Sequence, residues 1–195
     1  MNRITEKSFL ALIKKQRIIV DPGYPDSAVL CFDPDPGISR FWEIPEEARR
    51  ITCFIDTILS SLVPWNTVYV WKHLGSWKSI ATGVRLNDDV QAIIYSGIGI
   101  PGGHADILEF TKDEYPKLVA LIFNQLIFGW NVGDDLYLIP DHGDQIVKTD
   151  HHDAVHVEFK SDETMQKFVE AMKQRGFPLP EDVPDETFKT PDWIK

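Results

Sequence analysis

Positive charge is scarce in this sequence. Twenty Lys and Arg face 30 Asp and Glu, a formal charge of −10 over 195 residues. A surface of that sign repels phosphate backbones, so no nucleic-acid partner is expected. Cysteine is nearly absent too. Cys31 and Cys53 form no C-x-x-C unit and are expected to be reduced, buried thiols of a reducing compartment. No apolar run reaches the roughly 20 residues that a bilayer span needs. The most hydrophobic stretch, "LVALIFNQLIFGW", is interrupted by Asn124 and Gln125. The opening "MNRITEKSF" lacks the apolar core of a signal peptide. There is no internal repeat, no low-complexity block and no G-x-S-x-G elbow. These absences lead to the expectation of a soluble, cytoplasmic protein with no membrane partner.

What is present fits one globular unit. The composition is 43% apolar and 26% charged, and the length can bury a core without disulfide or metal. Aromatics stand out, with 6 Trp and 11 Phe. Large rings go to cores and to interfaces. On the second reading Trp71, Trp77, Trp193 and Phe188 are candidate anchors for a partner.

Periodicity predicts an α+β domain over residues 1–175, with a mostly antiparallel sheet and about four helices. Thr5 caps a helix over 5–16 on which Phe9, Leu12 and Ile13 share a face. Ala28 to Phe32 reads as a short strand among Pro- and Gly-rich turns. Pro45 opens a second helix whose stripe is Ile51, Phe54, Ile55, Ile58, Leu59 and Leu62. "TVYVW" (67–71) and "VQAIIYS" (90–96) are β-branched and aromatic, hence predicted strands. A further strand is expected near Ala81 to Leu86, turning at Asn87 to Asp89. A buried helix is expected over 113–128, with Thr111 and Glu114 at capping-box spacing. "DLYLIP", "QIVKT" and "AVHVEF" form a three-stranded meander. Ser161 then caps a helix that Gly176 and Pro178 end. Residues 176–195 form an extended Pro-rich tail. Its spaced anchors, Phe177, Leu179, Val183, Phe188, Trp193 and Ile194, are expected to pack on the domain or on a partner.

Three constellations could carry chemistry. Gly97, Gly99 and Gly102 spell G-x-G-x-x-G, but Pro101 lies inside it and no helix of the required length follows. The reading is a loop, with His104 and Asp106 as its polar residues. The two cysteines are expected to be inert. The third constellation is "TDHHDAVHVEF" (149–159). Strand alternation places Val155, Val157 and Phe159 on the core face and His156 and Glu158 opposite. His152 then lies about 13 Å along the strand from His156 at ~3.3 Å per residue. Only Asp150 to Asp153 keeps a claim on chemistry, with His151, His152 and Asp153 as catalytic candidates. Asp141, His142 and Asp144 sit in the other turn, at the opposite end of a meander. The bland reading is an Asp-rich turn whose carboxylates bond backbone amides.

"DPD" at Asp33 and Asp35, followed far downstream by "DHH" at Asp150, His151 and His152, resembles the signature of the DHH phosphoesterase family. The resemblance implies that Asp33, Asp35, Asp150 and His151 hold two manganese ions that activate water, with His152 close by. It also implies a longer chain with a parallel sheet. It covers only these few residues, and "GGH" (102–104) precedes "DHH", where the family's glycine-rich element follows it.

The functional expectation is a non-catalytic protein-binding module with no cofactor. In type it is similar to the small acidic immunity proteins that neutralise toxins. A basic partner would meet acidic residues around Asp88, Asp89, Asp134, Asp135, Asp141 and Asp144. The alternative is a metal-dependent phosphoester hydrolase built on Asp150 to Asp153 with a divalent metal.

Overall fold

The computed structural model describes residues 1–21, 29–72, 77, 85–100, 107–128 and 135–182, the side chains of 85–88 excepted. The order is Asn2–Ile4 (β1), Glu6–Lys15 (α1), Ile18–Val20 (β2), Leu30–Phe32 (β3), Ser39–Glu43 (β4), Ala48–Ser61 (α2) and Thr67–Lys72 (β5). Then come Arg85–Gly97 (α3), Ile107–Thr111 (β6), Tyr115–Phe128 (α4), Leu136–Pro140 (β7), Gln145–Asp150 (β8), Ala154–Phe159 (β9) and Asp162–Gln174 (α5).

Local chemistry explains most helix limits. Thr5 Oγ1 accepts from Ser8 N–H at the start of α1, with Glu6 in the first turn and Lys14 and Lys15 in the last, matching the helix dipole. Glu114 accepts from Thr111 N–H at 3.2 Å ahead of α4. Ser161 Oγ accepts from Thr164 N–H at 3.3 Å ahead of α5. The predicted strand at Val90 to Ser96 is instead part of α3, so there are five helices among the described residues. Gln91 and Tyr95, four residues apart, are buried while Ile93 is exposed. That spacing is a helical face, and packing overrides the β-propensity of the isoleucines. Asn87 to Asp89 therefore lie within a helix, not a turn; of the strand expected at 81–86, residues 81–84 lie outside the described residues and Arg85 and Leu86 open α3.

Seven strands form one sheet in the order β1-β6-β5-β7-β8-β9-β4, and β2 and β3 form a separate hairpin. Every described pairing is antiparallel. The parallel sheet implied by the phosphoesterase resemblance is not what these strands build. The predicted meander is β7-β8-β9, and α5 follows it.

Both faces of the central strands are buried. On one face Val68, Val70, Leu138, Val147, Val157 and Phe159 pack beneath helices α2, α3, α4 and α5. On the other, Tyr69, Trp71, Tyr137, Ile139 and Ile146 pack beneath α1 and the β2–β3 hairpin. Trp71 and Trp77 are 4% and 1% exposed. Neither ring is available to a partner, because the layers on the two faces of the sheet close over them. Phe188 and Trp193 lie outside the described residues. The start of the tail packs on the domain: Phe177 and Leu179 are buried in the core, and Trp42 Nε1–H donates to the Phe177 carbonyl at 3.2 Å.

The second covering layer stops short of the sheet's far edge. Trp71, Tyr137, Lys148, His156 and Phe41 are direct cross-strand neighbours in one row. The row runs from buried Trp71 to exposed His156 and Phe41. No described helix is long and apolar enough to cross a membrane.

The β7–β8 turn locks α1 to the sheet. Gln16 Nε2–H donates to the Asp141 carbonyl at 2.6 Å. Gly143 has φ +66°, and a Cβ there would meet the Gln16 side chain at 2.5 Å. Gly143→Ala therefore combines left-handed strain with a clash. Chemical denaturation is expected to show a loss of about 2–4 kcal/mol, and a loss under ~0.5 kcal/mol would contradict this packing.

Candidate binding site at the turn between β8 and β9

The residues between β8 and β9 make a tight reversal. Asp153 takes φ +60°, a conformation that Asp and Asn tolerate better than other side-chain-bearing residues. Asp150 Oδ1 accepts from His152 N–H at 2.9 Å, the Asx-type bond of an Asp-rich turn.

A buried carboxylate fixes the turn from the other side. Asp135, just before β7, is 2% exposed. Its Oδ1 accepts from His151 N–H at 3.0 Å and lies 3.1 Å from His151 Nδ1. Its Oδ2 lies 3.3 Å from Lys148 Nζ. Lys148 also donates to Asp150 Oδ2 at 3.0 Å, so one ammonium bridges two carboxylates. The nearby Thr149 hydroxyl accepts from Leu136 N–H at 2.9 Å. Asp135 was expected on a partner-facing surface. It is instead an interior group, since an ion so buried needs paired partners.

His152 Nδ1 stands 2.7 Å from Asp150 Oδ1, and His151 Nδ1 stands 3.6 Å from the same oxygen. Asp150, His151 and His152 each offer one donor atom, and all three lie within 4.8 Å of one another. His156 Nε2 is 3.9 Å from Asp150 Oδ2 and is not in that group. Burial pushes the Asp150 carboxyl up, but the His152 amide, the His152 ring and Lys148 outweigh it and hold the group well below the usual carboxylate range. Burial lowers the His156 imidazole, opposed by Asp150.

Two hollows adjoin the turn. A cavity of about 10 Å³ is lined by Asp135, Thr149, Asp150 and His151 among others, room for about one water. Next to it, sharing Ile44, Leu126 and Asp153, opens a cleft of about 430 Å³. Its apolar wall is Ile44, Pro45, Ile51 and Leu126, and its polar rim is Glu43, Glu46, His152 and Asp153. Among the described residues neither Lys nor Arg lines it.

The remaining predicted residues fall elsewhere. Asp33 and Asp35 follow β3 and are exposed; Asp35 accepts from Gly37 N–H at 2.7 Å. They act electrostatically on Cys31, and Asp35 also on Glu158, which is four residues along β9 from the turn. They are not in the converging group. The Asp141–Asp144 turn lies at the opposite end of β8, as the meander requires. There Asp141 accepts from Asn66 N–H at 3.3 Å. His142 Nδ1 accepts from Asp144 N–H at 3.1 Å while Nε2 meets the Val63 carbonyl at 3.0 Å. Both are bonds of turn and loop. Asp89 is exposed; Asp134, His104, Asp106 and the Asp88 side chain are outside the described set. Cys53 is exposed rather than buried, because it lies on the outer side of α2. Cys31 is half-buried, and burial, with Asp21 and Glu158, pushes its thiol up to about 11. A thiol in that range is a poor nucleophile near neutral pH.

Glu43 and Glu46 were missed by the sequence reading, since no motif marks them and only the pairing of β4 with β9 brings them near the turn; Glu158 was placed on the outer face of β9 without a role. Burial, then Asp35 and Asp21, push the Glu158 carboxyl up to about 7. A raised carboxyl favours the proton-bound fold. Its stabilisation is full below the ordinary value of 4.5 and is lost as pH rises through about 7. Glu158→Gln removes that loss. Melting at pH 5 and pH 8 should show wild type losing about 1–2 kcal/mol more than the variant, after allowance for solvent screening. Equal losses would contradict the burial argument.

Compared with protein-family models, with curated proteins and with solved structures, the chain gives no match.

Proposed function

We propose that this chain is a non-catalytic module that binds a basic protein, in the manner of an immunity-type inhibitor, through the cleft beside the β8–β9 turn. The carrying observation is the composition of that cleft. Carboxylates of Glu43, Glu46 and Asp153 rim an apolar wall, with His152 beside them and neither Lys nor Arg among the described lining residues. An Arg or Lys of a partner matches both parts. Its aliphatic stem lies on Ile44, Pro45 and Leu126, and its charged head meets the rim. The net charge of −10 adds long-range steering toward a basic surface.

A second reading, a metal-dependent phosphoester hydrolase, draws on the convergence of Asp150, His151 and His152. Asp33 and Asp35, the other ligands which that resemblance implies, stand apart from the group.

The test uses a fluorescent oligo-arginine peptide as probe, with wild type and the triple variant Glu43→Gln, Glu46→Gln, Asp153→Asn. Asn at 153 keeps the left-handed backbone accessible. Binding by wild type should weaken with added salt and fall about tenfold or more in the triple variant, on the order of 1.4 kcal/mol. Glu163→Gln, on exposed α5, should change nothing. Equal binding by wild type and triple variant, or loss in Glu163→Gln alone, would refute the cleft. A basic protein captured from native lysate should follow the same order of variants.

A further inference from the structure

We propose that Asp150, His151 and His152 form a mononuclear site for a borderline transition-metal ion such as Zn²⁺, Co²⁺ or Ni²⁺. The site is separate from the two-manganese arrangement that the "DPD…DHH" spelling implies, and it does not depend on the basic-partner reading.

The donor set selects the ion. Two imidazole nitrogens and one carboxylate oxygen suit zinc and its neighbours, whereas calcium and magnesium prefer all-oxygen shells. The distances are close to those of a bound state. Metal–nitrogen and metal–oxygen bonds run at about 2.0–2.2 Å, so donors on one ion stand roughly 3–4.3 Å apart. His152 Nδ1 and His151 Nδ1 lie 2.7 and 3.6 Å from Asp150 Oδ1, and the whole group spans no more than 4.8 Å. The adjustment is under an ångström, and it falls on His152, whose side chain is 77% exposed and free to swing.

The surroundings are built rather than incidental. Asp135, 2% exposed, lies 3.1 Å from His151 Nδ1 and accepts from its backbone N–H. That carboxylate meets the same ring nitrogen that faces Asp150, so it borders the donor set and fixes the turn through the His151 amide, and coordination at Nδ1 replaces the Nδ1–Asp135 contact. Asp135 Oδ2 has Lys148 Nζ at 3.3 Å as its ionic neighbour. It lines the one-water cavity together with Asp150 and His151. Lys148 holds Asp150 Oδ2 and leaves Oδ1 facing the rings. Two carboxylates against one ammonium give the non-imidazole groups of this cluster a net negative formal charge, which favours a cation. Coordination through Nδ1 moves each neutral ring's proton to Nε2, so no co-reactant is needed. His152, 77% exposed, also lines the cleft.

The full chain, freed of metal by chelation and dialysis, is titrated with Zn²⁺ by calorimetry and with Co²⁺ by visible absorption. One equivalent should bind in the micromolar range. Co²⁺ should give the d–d bands of nitrogen–oxygen ligation, and ¹⁵N spectra of His151 and His152 should change tautomer. His152→Ala, an exposed site whose folding is checked by circular dichroism, should weaken binding at least tenfold. His151→Gln should do the same, and His156→Ala should leave it unchanged. Mg²⁺ and Ca²⁺ should not compete at millimolar concentration. No Zn²⁺ binding at 100 μM protein, approximately, would overturn the proposal. So would binding that survives both His151→Gln and His152→Ala, or that is lost in His156→Ala alone.

Discussion

A carboxylate that is almost wholly removed from water needs donors from the chain around it. Asp135 is that carboxylate, and the region beyond the β7–β8 ladder depends on it. The paired part of this ladder consists of Tyr137 with Lys148 and Leu138 with Val147. Past it, side chains take over. Thr149 accepts from the Leu136 amide, Asp135 accepts from the His151 amide, and Lys148 spans Asp135 and Asp150. The chain entering β7 is thereby tied to the turn leaving β8. The turn cannot relax without leaving a charge buried and unpaired, which is far more costly than losing a surface contact.

This constraint turns a polar loop into a shaped surface. Held from within by Asp135, the turn presents His152 and Asp153 outward. β4, the last strand of the sheet, pairs with β9 and carries Glu43 to a position opposite Ala154. The segment from Glu43 to Glu46 then faces the turn across the cleft. The apolar wall is supplied from behind by Ile51 of α2 and Leu126 of α4. The cleft is thus a consequence of sheet order: an edge strand from the first quarter of the sequence closes over a hairpin from the last.

Much of this was legible in the sequence, and the reasons differ by feature. The meander showed because its strands alternate cleanly. Val155, Val157 and Phe159 are buried while His156 is exposed, which is the period of two read on a half-covered sheet face. The capped helices showed through Thr5, Thr111 and Ser161. α3 did not, because Val90, Ile93 and Ile94 look like a strand until Gln91 and Tyr95 are seen to share a buried face. β1, β2, β4 and β6 did not either: β1 and β2 have three residues each, and of the five in β4 only Trp42 is buried, so no alternation marks it. The turn's Asx character followed from composition alone. Its dependence on Asp135 could not, since nothing in a single sequence announces that the carboxylate of a residue 16 positions away will accept from an amide of the same turn. Trp71 and Trp77 erred in the opposite direction: surplus aromatics looked like a surface and proved to be the cost of covering a sheet on both faces.

The two proposals draw on the same negative charge in different ways. A basic side chain in the cleft needs only a carboxylate rim and an apolar wall; Glu43, Glu46 and Asp153 supply the first without any ring nitrogen. A transition metal needs directional donors at fixed distance; Asp150, His151 and His152 supply those without the cleft's wall. His152 belongs to both, lying on the rim of one site and in the donor set of the other. An ion bound there would add positive charge at the mouth of the cleft and draw an exposed ring inward. By Coulomb's law the first effect opposes a cationic guest, and linkage makes that opposition reciprocal. Occupancy of the metal site and occupancy of the cleft would then be coupled through one side chain, with the buried Asp135 as the fixed point against which both are measured.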